Sequence, residues 1–140
     1  MSNLSASLED YLELICNLLE TSDSVKAVEL ARKLNVSRAS VSEALTKLAD
    51  KNLIVYEGHK GITITPQGLE KAQEVISKHK TLTSFFENIL GLDKTISEET
   101  ACKVEHVITK EVFDRIKDFQ LYCAKNDKFI DGFKEHTRNE

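Results

Sequence analysis

Residues 28–65 leave the chain little choice of fold. Val28 to Leu34 reads as a short helix, Asn35-Val36-Ser37 as a tight turn, and Ser37 as the cap of a longer helix from Arg38 to about Asn52. In that second helix Val41, Ala44, Leu45 and Leu48 recur at i, i+3, i+4 and i+7, which gathers them on one apolar face. A helix, a short turn and a capped amphipathic helix make the helix-turn-helix pattern. A hairpin follows at once. Leu53 to Glu57 is strand-like, Gly58-His59-Lys60-Gly61 turns the chain, and Ile62 to Thr65 alternates apolar and polar residues. A hairpin of this size after such a helix is a wing.

The flanking segments read as helices. Ser7 is placed to cap a helix running to about Leu19, with Leu8, Leu12, Ile15, Cys16 and Leu19 as its apolar stripe. Thr21 to Ser24 breaks it, and Val25-Lys26-Ala27 is a short extended lead into the next helix. Thr65-Pro66 starts a long helix, with threonine at the cap and proline at the first position. It runs past His79, Leu82, Phe85, Phe86, Ile89 and Leu90 until Gly91. Ser97 is expected to cap a further helix, with Glu98 and Glu99 in its first turn favourable against the dipole. Thr109 caps another, with Val112, Phe113, Ile116 and Phe119 as its stripe, to about Cys123. After Lys125 the chain reads as a polar tail apart from Phe129, Ile130 and Phe133. The expected class is mainly α, a winged helix-turn-helix with a small β-hairpin followed by a helical domain, divided as 1–70 and 71–140.

Composition fits that class. Apolar residues make up 41% and charged residues 30% of 140 positions, ordinary for a globular chain, and Pro66 is the only proline. No apolar run approaches the roughly 18 residues that span a bilayer, and the N-terminus lacks a signal-peptide pattern, so no membrane partner is expected. Cys16, Cys102 and Cys123 form no spaced framework and leave one unpaired, which points to the reducing cytoplasm. The net charge of −4 is unevenly spread. Residues 26–60 hold seven basic side chains against four acidic ones, whereas residues 1–25 hold five acids and no lysine or arginine. Local field, not total charge, steers a polyanion.

An α-helix fits the major groove of duplex DNA, with its exposed N-terminal side chains at base edges and phosphates. The face opposite the apolar stripe offers Ser37, Arg38, Ala39, Ser40, Ser42, Glu43, Thr46 and Lys47. The hydroxyls and Lys47 suit phosphates or bases, Arg38 suits either, and Ala39 suits a thymine methyl. His59 and Lys60 at the wing tip suit the backbone or minor groove, and Lys26 adds a cation before the first helix of the pair. The competing reading is a capped surface helix with ordinary solvated residues, since winged helices also serve as protein-contact modules.

Two clusters of metal donors flank this segment. Cys102, Glu105 and His106 fall at i, i+3 and i+4 and share a helical face, as do Asp10 and Glu13 on the first helix. Thiol, imidazole and carboxylate together are a donor set for a divalent transition metal. Each has a plainer explanation when taken singly. Asp10 completes a capping box with Ser7, Glu13 is a solvated face residue, Cys102 is a small buried hydrophobe, and His79 is a polar residue on a long exposed helix. His-x-x-x-His and CxxC spacings are absent, so neither a zinc protease nor a structural zinc site is indicated. No Ser-His-Asp arrangement or glycine-rich phosphate loop supports an enzyme or a small-molecule substrate.

Ser-Leu-Glu-Asp-Tyr-Leu-Glu (7–13), Leu-Asn-Val-Ser-Arg-Ala-Ser-Val (34–41), Gly-Ile-Thr-Ile-Thr-Pro-Gln-Gly (61–68) and Ala-Cys-Lys-Val-Glu-His (101–106) resemble the diphtheria-toxin-repressor and manganese-transport-regulator family of metal-dependent transcriptional repressors. The resemblance covers about residues 5–120, in the short form without an SH3-like third domain. It implies a winged-helix DNA-binding domain, a helical dimerisation and metal-binding domain, Fe(II) or Mn(II) as corepressor, and a homodimer on a palindromic operator of metal-uptake or homeostasis genes. It also implies Asp10, Glu13, His79, Cys102, Glu105 and His106 as metal ligands. The chain departs from both branches. The iron type has a methionine where Asp10 stands and the manganese type usually a glutamate where Cys102 stands. Thr83 and Glu98 replace a carboxylate and a histidine of the iron type's second site, which Glu98, Glu99 or Glu13 would have to rebuild. Thiolate softness favours Fe(II), and the carboxylates pull toward Mn(II). Two other readings stand beside this one: a winged-helix regulator answering a redox or small-molecule signal without a metal, and a metal-buffering protein that binds no DNA.

Overall fold

A computed structural model describes residues 4–138 and resolves two compact units that divide between Ile76 and Ser77. The helices are α1 (Ala6–Leu18), α2 (Ala27–Leu34), α3 (Arg38–Asp50), α4 (Pro66–Ser84), α5 (Lys94–Val104), α6 (Lys110–Lys125) and α7 (Asp127–Arg138). The strands β1 (Ile54–Tyr56) and β2 (Ile62–Ile64) pair antiparallel, with Ile54 opposite Ile64 and Tyr56 opposite Ile62. The first unit is thus the winged helix-turn-helix that the sequence pattern predicts, and the second is helical.

In the first unit, α1, α2, α3 and the hairpin close around one core. Leu12 and Ile15 from α1, Leu30 from α2, and Val41, Leu45 and Leu48 from α3 are fully buried, as is Ile62 from β2. Burial of each large aliphatic side chain contributes roughly 1.5–3 kcal/mol. The turn between α2 and α3 depends on Asn35, whose φ of 54° is left-handed; asparagine tolerates that region better than branched residues do. Asn52, with φ of 61°, ends α3 the same way, so the helix stops at Asp50, short of the Asn52 expected from periodicity. Ser37 caps α3 as expected, its Oγ accepting from the Ser40 N–H at 3.1 Å.

The wing is closed off by the start of α4. Thr65 accepts from the Gly68 N–H at 3.0 Å and donates its hydroxyl to the Asn52 carbonyl at 2.7 Å, so the cap of α4 also fastens the end of α3. Gly68 lies against the Leu53 carbonyl, and a Cβ there would collide with that oxygen and come 2.8 Å from Ile64 Cγ1.

In the second unit, the last part of α4 widens into a π-helical turn at Phe85–Ile89 before Gly91, with φ of 75°, ends it. Leu82, Ile89, Ala101, Phe113 and Cys123 are buried here. Edge-to-face ring pairs join Phe85 to Phe119 at 6.3 Å and Phe119 to Phe129 at 6.4 Å. Gln120 donates to the Thr81 carbonyl at 3.2 Å, tying α6 to α4.

Three further local expectations change. Ser5, not Ser7, caps α1, accepting from the Leu8 N–H at 3.2 Å, so Asp10 is not part of a capping box. Asp93, not Ser97, caps α5, its carboxylate accepting from the Ile96 N–H at 2.9 Å. Aspartate and serine are comparable caps, but Ser97 is fully buried one turn inside, so Glu98 and Glu99 lie beyond the first turn. The polar tail is the helix α7, because Phe129, Ile130 and Phe133 share a face that packs toward Leu90, Phe119 and Cys123.

By propensity alone alanine would improve a helix over glycine by about 1 kcal/mol. The Gly68→Ala variant should instead lose about 1–3 kcal/mol, because overpacking against a backbone carbonyl outweighs that gain. Urea unfolding followed by circular dichroism reads the sign directly.

Candidate metal centre and nucleic-acid interface

The three cysteines have different fates. Cys16 and Cys123 are buried in their respective cores, whereas Cys102 is exposed. Burial pushes the Cys16 thiol above its ordinary value, and Glu20 and Glu13 push it further in the same direction. Cys16 is therefore an inert core residue, and Cys102 is the thiol with chemistry to offer.

Around Cys102 the second unit gathers donors from α4, α5 and the turn after α5. His79 Nδ1 lies 2.8 Å from Glu105 Oε2 and 3.7 Å from Cys102 Sγ. His106 Nε2 lies 3.5 Å from Glu105 Oε1. The local sequence explains this convergence. Helix α5 ends at Val104, and Glu105 keeps right-handed helical angles as its C-cap, so Glu105 and His106 continue roughly on the phase of Cys102. The Glu105 side chain is only 2% exposed. A carboxylate buried to that degree is held by positive charge, by hydrogen bonds or by a metal.

The shared nitrogen narrows the chemistry. Both Cys102 and Glu105 approach the same Nδ1, which carries at most one proton. A nucleophile-base-carboxylate relay needs the two ring nitrogens on opposite partners, so this is not that arrangement. Sulfur, carboxylate oxygen and imidazole nitrogen drawn to a common place fit a divalent transition metal. The residues His79, Cys102, Glu105 and His106 therefore suit such an ion.

The other metal candidates divide between the units. Asp10 is exposed on α1 and Glu13 is half-buried on the same helix, both in the first unit. Glu98 borders a shallow pocket together with His79, Thr83 and Glu87, while Glu99 is exposed on α5. In that pocket's neighbourhood Thr83 Oγ1 is buried without a hydrogen-bond partner among the described residues.

The DNA-binding candidates all lie in the first unit, on α3, at the wing tip and just before α2. Ser37, Arg38, Ala39, Ser40, Ser42, Glu43, Thr46 and Lys47 are all exposed on α3 or at its cap, opposite the buried Val41, Ala44, Leu45 and Leu48. Some of their hydrogen-bonding capacity is already used. Ser37 donates its hydroxyl to Ser40 Oγ at 2.9 Å, Thr46 donates to the Ser42 carbonyl at 2.9 Å, and Lys47 pairs with Glu43 at 3.2 Å. His59 and Lys60 are exposed at the wing tip, Lys60 with Glu57 at 3.8 Å. Lys26 is exposed too, and its Nζ donates to the His59 carbonyl at 3.1 Å. Sequence reasoning missed this bond, as it missed the bridge between Val25 and Ile62 that brings the two segments together. Alternation over three residues is too short a strand signal to find it.

Comparison with known proteins follows the same division. Residues 3–62 match a family model described as the N-terminal DNA-binding domain of iron-dependent repressors, and residues 65–128 match the metal-binding and dimerisation domain of the same family. The chain is 39% identical over 117 residues to an uncharacterised HTH-type transcriptional regulator of Methanocaldococcus jannaschii, covering 83% of this chain and 94% of that one. It is 32% identical over 135 residues to the HTH-type transcriptional regulator MntR of Shouchella clausii, covering 96% and 94%. Among solved structures, a manganese-dependent transcriptional repressor in complex with manganese superimposes with a TM-score of 0.72 at 29% identity over 79% of this chain. The manganese regulator SloR gives 0.73 at 27% over 86%. The chain spans only about half the length of those two structures, 51% and 55%. Two family models in the expected order, together taking in most of the sequence, establish that this chain belongs to the iron-dependent repressor family of DNA-binding transcriptional regulators, which are not enzymes.

Proposed function

We propose that this protein is a metal-dependent transcriptional repressor that acts in the cytoplasm as a homodimer, with Fe(II) as its preferred corepressor and genes of metal uptake or homeostasis as its targets. The observation that carries the reading is the convergence of His79, Cys102, Glu105 and His106 in one unit of a chain whose other unit is a winged helix-turn-helix. A bound divalent ion would supply two positive charges against a carboxylate that is otherwise buried. The chain's own residues do the rest. Glu105 brings the buried charge, His79 and His106 the borderline nitrogen donors, and Cys102 the soft donor that prefers Fe(II) to Mn(II). Asp10 and Glu13, assigned as ligands by the family resemblance alone, would add carboxylates from the DNA-binding unit, so that coordination biases how that unit is presented to DNA. Coupling of this kind is reciprocal, so an operator must also tighten metal binding, by about 1–3 kcal/mol in a typical case.

Dimerisation gives the reading its operator geometry. The family model for residues 65–128 includes dimerisation, and the stripe of α6 is only half used within the described residues of one copy. Phe113 is buried, but Val112 is 51% and Phe119 37% exposed, and with Phe85 and Ile116 they line an apolar groove. We assign this groove to the partner copy. Two α3 helices on a symmetric dimer would read half-sites spaced by about one helical turn, roughly 34 Å, on a palindrome. Arg38, Ser40, Ser42 and Lys47 then carry contacts with bases or phosphates, and His59 and Lys60 reach the backbone beside them.

Two experiments test the proposal. Under anaerobic conditions, Cys102→Ala should weaken Fe(II) binding by about tenfold to a hundredfold and Mn(II) binding much less, while the melting temperature of the metal-free protein stays unchanged. Retention of a duplex, selected in vitro by the wild-type protein from a random pool, should follow the same order when read by fluorescence anisotropy. Equal losses for the two metals would remove the assignment of Fe(II), and metal-independent duplex binding would remove the repressor mechanism. Separately, Ile116→Asp should give a monomer by sedimentation, with duplex affinity falling steeply. A dimer that survives the change would move the interface elsewhere.

A further inference from the structure

We propose that Lys26 is a positioning residue for DNA binding, holding the tip of the wing against the start of α2 instead of neutralising a phosphate. The inference rests on the reading of the first unit as a DNA-binding winged helix, and it deepens that reading by separating one basic side chain from the contact set.

Lys26 stands where a cation is otherwise a poor choice. It is the N-cap of α2, in extended conformation, a place that favours serine, threonine, aspartate or asparagine and where the helix dipole disfavours positive charge. Two bonds offset that cost. Glu29 accepts from the Lys26 backbone N–H at 3.3 Å, and the Lys26 ammonium donates to the His59 carbonyl at 3.1 Å, across a sequence separation of 33 residues. The second bond ends on the wing tip itself, in the single 3-10 turn Gly58–Lys60.

The neck of the wing, at the last strand pair before the turn, is held at the same edge. Val25 and Ile62 exchange both backbone bonds, at 3.0 and 2.8 Å, which makes residue 25 a third, one-residue strand beside β2. Next to this bridge the chain passes so close that a Cβ on Gly61 would lie 2.9 Å from Ser24 Oγ and 3.1 Å from the Val25 carbonyl; its φ of 92° also requires glycine. The hairpin is therefore fixed by backbone pairing at the neck of its turn, and the turn beyond is fastened to α2 by one side chain. Beyond that neck, among the described residues, the Lys60 and Gly61 backbones bond within the turn, to Glu57 and Gly58. With the His59 carbonyl drawn toward Lys26, the His59 and Lys60 side chains remain exposed. A wing whose tip wanders presents the same charges at a lower effective concentration. Lys26 thus contributes order, and the tip residues contribute contacts.

Salt dependence distinguishes the two roles. A lysine that neutralises a phosphate releases a counterion, so removing it makes the slope of log affinity against log salt shallower by about 0.9. The experiment uses the full chain saturated with Mn(II), the duplex selected by the wild-type protein, and the variants Lys26→Met, Lys26→Arg and Lys60→Met. For Lys26→Met the affinity should fall about threefold to tenfold at every salt concentration with the slope unchanged, and Lys26→Arg should restore it. Lys60→Met should lower the slope. In the DNA-free protein, Lys26→Met should speed amide hydrogen exchange at Lys60 and Gly61 but not in α1 or α3, which also shows that the variant is folded. A shallower slope for Lys26→Met, or an unchanged affinity, overturns the proposal. Unchanged exchange at the tip overturns it as well, and leaves the DNA-binding reading intact. Failure of the wild-type protein to retain any duplex would overturn both.

Discussion

The second unit is organised around a carboxylate that water cannot reach. Glu105 sits at the end of α5 with its side chain nearly sealed off, and the imidazole of His79 meets it from α4 at hydrogen-bonding distance. Moving an unpaired carboxylate into a protein interior costs several kcal/mol, so its neighbours are constrained in kind and place. Two imidazoles, of His79 and His106, stand beside it, and the Cys102 sulfur approaches the first of them. In the function proposed here, that buried carboxylate is what would give a divalent cation a reason to bind.

The first unit is built on a different principle. Its core is apolar and closed, and its polar face is arranged by caps and turns of the right handedness: Ser37 at α3, Asn35 before it, Asn52 after it, and Thr65 at α4. These local devices fix where the exposed face of α3 begins and ends. Gly68 and Gly61 then permit two close backbone approaches, one under the hairpin and one beside it, that no other residue would allow. Affinity for a polyanion comes from the exposed side chains, but their usable geometry comes from these small residues.

Much of this was legible in the chain. Period and capping located the helix pair, the wing and the start of α4, because each signal there is local and strong. The grouping of Cys102, Glu105 and His106 was legible from spacing, and their approach to His79 entered as an implication of family resemblance. What was not legible has particular causes. The start of α1 and of α5 each offered two capping residues, and propensity cannot say which one the tertiary packing will use; burial of Ser97 decided the second case. Helix α7 carries too few apolar residues to declare itself, and its face becomes meaningful only against Phe119 and Cys123 from α6. The bond from Lys26 to His59 joins residues far apart in sequence through a single side chain, for which no periodic signal exists.

The unequal treatment of sulfur has a practical corollary. Two of the three thiols are shut inside packed cores, and the third faces solvent beside an imidazole. Air-borne or reagent-driven damage is thereby funnelled to one atom, the sulfur proposed to grip the ion. A preparation aged on the bench can keep its helical spectrum and its elution volume while losing its response to metal. Purity by shape is then no guarantee of competence, and a titrated thiol count is the assay that reports it.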